Sequence, residues 1–156
     1  MRRKDREVSD IQEIVTIIKK CDCCRVALFD NEFPYIVPMN FGIEFENNKI
    51  VLYFHCASEG KKLELISKNP NISFEMDCCH KLITGDKACD YTMEYESVIG
   101  NGKAQVVTTG KIEALNSIMR RFSDDEIFNY DENYLKAVTI FRIDVIDITG
   151  KRLKVK

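Results

Sequence analysis

The sequence predicts a mainly β fold, an antiparallel barrel with peripheral helices, on three observations. Six or seven apolar or alternating runs are bounded by turn residues such as Asp30-Asn31-Glu32 and Asn47-Asn48. Most of these runs follow one another at hairpin spacing, without the regular strand–helix alternation of a doubly wound parallel sheet. Neither a Gly-x-Gly-x-x-Gly after the first strand nor a Walker loop is present, so dinucleotide-fold and P-loop readings fall away.

Each element has a local reason. Ser9-Asp10-Ile11-Gln12 reads as a capping box, and Ile11, Ile14, Val15, Ile18 and Cys21 recur at helical spacing, giving a first helix over 10–20. Residues 25–29 form a strand and 35–45 a second one. Pro34 and Pro38 confine the first half of that second strand to an edge, a bulge or a place where another group meets the backbone. Ile50 to Phe54 is a strand throughout, and the Lys61 helix follows it and stops at Asn69-Pro70. Residues 71–76 return to strand, and 77–90 form a long polar excursion. Residues 91–107 are strand again, with Gly100 and Gly102 marking a bulge or a close backbone approach. Thr108 and Thr109 offer caps for a helix in which Ile112, Leu115, Ile118, Met119 and Phe122 line one face. An acidic, irregular stretch over 123–134, with one short helical turn, precedes a last strand over 137–148.

Composition bounds the function. With 45% hydrophobic and 31% charged residues, the 156-residue chain reads as one ordinary globular domain, 1–156. A net charge of −2 supplies no basic field for nucleic acid. No apolar run approaches the roughly 20 residues that span a bilayer. The charged start, Met1 to Glu7, has no apolar h-region after it, so the expected location is cytoplasmic. Seven cysteines, two pairs of them adjacent, are then expected as reduced, partly buried thiols. A metal site from Cys21, Cys23, Cys24, Cys78, Cys79, His80 and Cys89 lacks the two Cys-x₂₋₄-Cys knuckles usual for zinc, and no metal is expected.

The chain is organised around residues 51–66, a strand that turns directly into a helix. Lys61 and Lys62 fall in the first helical turn, where the macrodipole already makes the N-terminus electropositive. Two ammonium groups there are unfavourable unless an anion sits above them. Free N–H groups, the cap residue Ser58, Gly60 and the two lysines together suit a phosphate. The competing reading is a solvated lysine pair on a capped helix.

Three separated pieces resemble a known family. Val37-Pro38-Met39-Asn40-Phe41-Gly42, the stretch Tyr53 to Lys62, and Tyr95-Glu96-Ser97-Val98-Ile99-Gly100-Asn101-Gly102 are similar, in this order and spacing, to the nitroimidazole-resistance branch of the pyridoxamine 5′-phosphate oxidase-like flavoproteins. The charged opening at Met1 and the closing residues 141–152 resemble it too, so nearly the whole chain is covered. The resemblance implies a split β-barrel, a homodimer and FMN in a cleft at the subunit interface. It also places Lys61 and Lys62, with Ser58 and the Gly60 backbone, on the FMN phosphate. Val37, Pro38, Met39, Asn40 and Phe41 would face the flavin ring through their backbone. Phe54 and His55 would lie beside the ribityl chain and ring, and Ser97 would make a polar contact. The oxidases proper carry an arginine where this chain has Gly60, and a C-terminal arginine–histidine arrangement that is absent here. Oxidation of pyridoxamine phosphate is therefore not expected.

Two classes of function follow. One is an FMN-dependent reductase acting on a nitroaromatic or similar small electrophile, with electrons from a reduced nicotinamide or a protein donor. There His55 is the catalytic candidate, because imidazole exchanges protons near neutral pH. The alternative is a non-catalytic flavin- or haem-binding module, a sensor, carrier or store, with His55, Cys56 or His80 as axial ligand.

Overall fold

The computed structural model describes residues 2–125 and 127–155; Met1 of the opening motif, Glu126 of the acidic stretch and Lys156 lie outside them. In the first half of the chain β1 (Glu7–Val8) and α1 (Ile11–Lys20) precede β2 (Cys24–Leu28), β3 (Tyr35–Met39), β4 (Gly42–Glu46) and β5 (Lys49–Ala57). Then come α2 (Lys61–Lys68), β6 (Asn71–Ile83), β7 (Thr92–Val106), α3 (Lys111–Met119), α4 (Glu132–Ala137) and β8 (Val138–Leu153).

All pairings are antiparallel, and the sheet runs β3-β2-β6-β7-β8-β5-β4 with β1 against β8. Its two end strands, β3 and β4, are consecutive in sequence and joined only by Asn40 and Phe41. Three Cα steps reach at most about 11 Å. A sheet whose far edges are held that close must roll up, and the chain, rather than ladder hydrogen bonds, crosses the seam. This is the expected mainly β fold, a split barrel with helices around it. Its interior is filled by Leu28, Leu52, Phe54, Phe74, Met76, Phe141 and Ile143, with Ile14, Val15, Ile17 and Ile18 of α1 closing one side.

Several boundaries differ from the sequence reading. The strand expected over 35–45 is two strands, because its halves serve opposite edges: β3 pairs with β2 and β4 with β5. Phe41 at the break turns into the core, and the Arg121 guanidinium lies 4.5 Å from its ring centre. That split, together with β1, raises the strand count to eight. The excursion over 77–90 begins as strand, since Lys81, Leu82 and Ile83 pair with Glu94, Met93 and Thr92 beyond a bulge where Cys79 takes φ +59°. β8 likewise runs on to Leu153.

Caps were the least accurate part of the reading. Asp10, not Ser9, caps α1 by accepting the Gln12 N–H at 2.8 Å. Gly110, not Thr108 or Thr109, precedes α3, and Ile112 and Phe122 stay exposed while Leu115 and Ile118 are buried. The expected features at Asn47-Asn48 and at the β7 glycines are present. Asn47 and Asn48 both take positive φ in a tight hairpin turn, and the β7–β8 register shifts between Asn101 and Gly102. Among the described residues no helix is long and apolar enough to cross a membrane.

Candidate cofactor site

β5 alternates strictly, with Ile50, Leu52 and Phe54 inward and Val51, Tyr53 and His55 outward. His55 therefore leaves the barrel wall on its outer face, near the point where the strand ends at Ala57. The chain then bends through Ser58, Glu59 and Gly60 into α2. Gly60, with φ +134°, is the residue before the helix, and no side chain caps the N-terminus. Ser58, expected as the cap, is exposed and does not fill that role. Leu63 and Glu64 donate their N–H groups to the Gly60 carbonyl, at 3.0 and 3.3 Å. The Lys61 and Lys62 amides, earlier in the turn, have no intrahelical acceptor. A Cβ built on Gly60 would meet nothing within 4 Å, so the approach to these amides is open.

His55, Cys56, Ala57 and Lys62 form one wall of a cavity of about 340 Å³, and Tyr134, Ala137 and Val138 form the other. Tyr134 and Ala137 of that second wall belong to α4, capped by Asp131, whose carboxylate accepts the Asn133 and Tyr134 N–H groups, and Val138 opens β8. His55 lines the cavity, and its Nδ1 is buried without a protein hydrogen-bond partner. A buried ring nitrogen is nearly always satisfied in folded proteins, by water or by a bound group. Burial pushes the Cys56 thiol up, so it is a protonated, apolar part of the wall.

The two lysines have different surroundings. Lys62 lines the cavity. Lys61 turns the other way: its ammonium is 2.5 Å from Asp30 Oδ2 and 4.9 Å from the centre of the Tyr35 ring. The hydrogen bond to Asp30 raises its pKa, and the exposed pair neutralises its charge. Cavity and helix start nevertheless fit a flavin phosphate: an open cationic corner with free amides, an apolar floor and an unpaired imidazole nitrogen.

The other expected site residues are dispersed. Phe54 is 0% exposed, its ring stacked on Phe141 at 4.9 Å. Its side chain is part of the core, so a group bound on the outer face would meet the backbone of Phe54. Val37, Pro38 and Met39 lie on the edge strand β3, which begins at Tyr35 under Lys61, and Asn40 precedes Phe41 and Gly42, the latter paired with Tyr53 two residues before His55. The edge position is what Pro38 requires. Ser97 is remote from His55. His55 pairs with Ile140 of β8 and Ser97 with Lys151, eleven residues further along that strand. At strand rise this is a path of about 36 Å. One chain does not bring Ser97 and His55 together.

Sequence reasoning missed Asp30, Tyr35 and Tyr134, whose roles come from contacts between distant segments. It also missed Glu96. This carboxylate is 1% exposed and accepts hydrogen bonds from Lys20 at 2.7 Å and Arg152 at 2.6 Å. Burial alone would raise its pKa, but these bonds outweigh that and hold it below the usual carboxylate range. All seven cysteines are unpaired, and burial pushes Cys21 up to about 11. Of the proposed ligand set, Cys23, Cys24, His80 and Cys89 do not converge, and His80 instead meets Asp77 at 2.7 Å.

The family described as pyridoxamine 5′-phosphate oxidase matches residues 10–152. Among solved structures, a candidate 5-nitroimidazole antibiotic resistance protein from Bacteroides thetaiotaomicron VPI-5482 is 36% identical, with 94% of this chain and 86% of that one covered at a TM-score of 0.79. The flavocytochrome Anf3 from Azotobacter vinelandii is 16% identical over 99% of this chain and 72% of that one, with a TM-score of 0.82. The FAD and haem binding protein from Mycobacterium smegmatis is 14% identical over 96% and 74%, with a TM-score of 0.83. The last two share the fold only. No curated protein matches. With the family matched over nearly its whole length and a split barrel carrying an open cationic corner, the chain belongs to the flavin-binding pyridoxamine 5′-phosphate oxidase-like family and is similar to its nitroimidazole-resistance branch.

Proposed function

We propose that the protein is an FMN-dependent reductase of a small electrophile such as a nitroaromatic, working as a symmetric homodimer in the cytoplasm. The observation that carries this reading is that His55 and Lys62 line one cavity beside the uncapped start of α2. The helix start and the Lys62 ammonium hold the phosphate, and Lys61 adds its charge only by leaving Asp30. When bound, FMN supplies the passage of electrons from a reduced nicotinamide or a protein donor to the substrate. His55 holds or delivers a proton at Nδ1. Cys56, Ala137 and Val138 keep that side of the cavity apolar.

The incompleteness of the cavity supports the dimer. A cavity of about 340 Å³ stands near the lower end of small-ligand sites, and it encloses only part of a flavin. Ser97, far from His55 along the sheet, would reach the cofactor from a second copy related by a two-fold axis. Ile99 and Ile146, 57% and 66% exposed on β7 and β8, give such a contact apolar surface.

The purified protein is expected to show flavin absorption bands and to be bleached anaerobically by NADH or NADPH, then reoxidised by a nitroimidazole with loss of the nitro chromophore. A Soret band without flavin bands would assign the cavity to haem. Flavin that binds but transfers nothing to nitro compounds would leave only the binding module.

A further inference from the structure

We infer that Cys21, Cys78, Cys79 and Glu96 form a zinc site at the bulge of β6. The side chains of Cys78, Cys79 and Glu96 place their sulfur and oxygen atoms within 4.8 Å of one another. A tetrahedral zinc with bonds of about 2.0–2.3 Å needs ligand separations near 3.8 Å, so closure asks for shifts of only about 1 Å. Consecutive strand residues normally point to opposite faces. Here the positive φ of Cys79 breaks the alternation and turns its thiol to the same carboxylate as Cys78. Cys79 Sγ already lies 3.6 Å from Glu96 Oε2. The fourth ligand would be Cys21, just past the end of α1; it lies outside those three converging groups and has further to move. Cys21 Sγ and Cys78 Sγ both approach the Ile17 carbonyl, at 3.3 and 4.0 Å.

Charge fits as well. Three thiolates and one carboxylate exceed the charge of a zinc ion by two. Lys20, Arg152 and Lys154 surround Glu96 at 2.7, 2.6 and 3.8 Å, and Arg152 also meets Glu13 at 2.8 Å. Those three cations, less the Glu13 carboxylate, cancel the surplus. Without a metal the same cations outnumber the two carboxylates beside them. Lys20 and Arg152 also fix the Glu96 carboxylate, as outer-shell partners do in zinc sites. Cys21 is buried and Cys79 exposed, so the pocket is closed behind and open in front for metal entry. The thiol set favours zinc over magnesium or calcium, which take oxygen ligands. Knuckle spacing does not reveal this set, because a strand bulge, its partner strand and a helix end, not two loops, supply the ligands.

The test uses the reduced full chain freed of metal with a chelator and titrated with cobalt, then zinc. One equivalent of cobalt should give a thiolate-to-cobalt charge-transfer band that zinc abolishes. Cys79→Ser and Cys78→Ser should each remove the band and Cys89→Ser should retain it, all with unchanged circular dichroism. Lys20→Met should weaken zinc by roughly 10–100-fold. In the parent protein, zinc should shield Cys78 and Cys79, but not Cys89, from alkylation, a readout that needs no variant. Absence of the band, its survival in Cys79→Ser, zinc-independent alkylation, or oxidation of Cys21 and Cys78 to a disulfide in place of metal binding would each overturn the site.

Discussion

Lys61 and Lys62 are neighbours in sequence with opposite surroundings, one paired with Asp30 and the other lining the cavity. Lys62→Ala is therefore expected to weaken FMN by about tenfold or more, since a charge-assisted bond to phosphate contributes roughly 1.5–3 kcal/mol. Lys61→Ala should change FMN affinity by less than Lys62→Ala does. Fluorescence quenching at fixed salt ranks the two, and the reverse order would make Lys61 the main anchor. The lysine pair was legible because charge at a helix start is a local anomaly. Asp30 was not, because it lies 31 positions away and only the fold brings it near. Glu96 belongs to the same scale. Its depressed folded pKa means that the ion-paired form stabilises the fold in full above the ordinary value of 4.5, with loss as pH falls below it through the folded value. Glu96→Gln should flatten that acid limb in denaturation midpoints measured across pH; an unchanged limb would mean that other carboxylates carry it.

At the scale of elements, alternation and turn residues identified most strands, because the two-residue period and the Asn47-Asn48 turn are written locally. The break at Asn40-Phe41 was not legible. Nothing in residues 35–45 says that the halves will pair with strands at opposite ends of the sheet. The same non-locality explains Gly42. A Cβ there would lie 2.6 Å from the Ser117 carbonyl carbon and 2.7 Å from the Ile118 nitrogen, both backbone atoms of α3. Gly42→Ala should destabilise by about 1–3 kcal/mol, as overpacking does, with the denaturant midpoint shifted and the slope retained. A midpoint within error of the parent would show that α3 can move aside. Helix caps failed for a related reason. Ser58, Thr108 and Thr109 are good cap types, but Gly60 and Gly110 take the positive φ that these corners need.

Across the whole molecule, the rolled sheet separates residues that the resemblance groups in one site. β8 carries His55's neighbour Ile140 near one end and Ser97's neighbour Lys151 near the other. The resemblance lists the expected site residues, but no spacing in the sequence encodes how far apart the rolled sheet sets them. Light scattering at micromolar concentration with FMN should return twice the 18.1 kDa chain mass. A monomer that still binds FMN tightly would remove Ser97 from the site. The central claim is that the α2 corner grips a phosphate, and the most direct measurement compares FMN with riboflavin on the unmodified protein at fixed salt. The account predicts FMN tighter by about tenfold or more, the difference shrinking as salt rises. Equal affinities for the two flavins would contradict it.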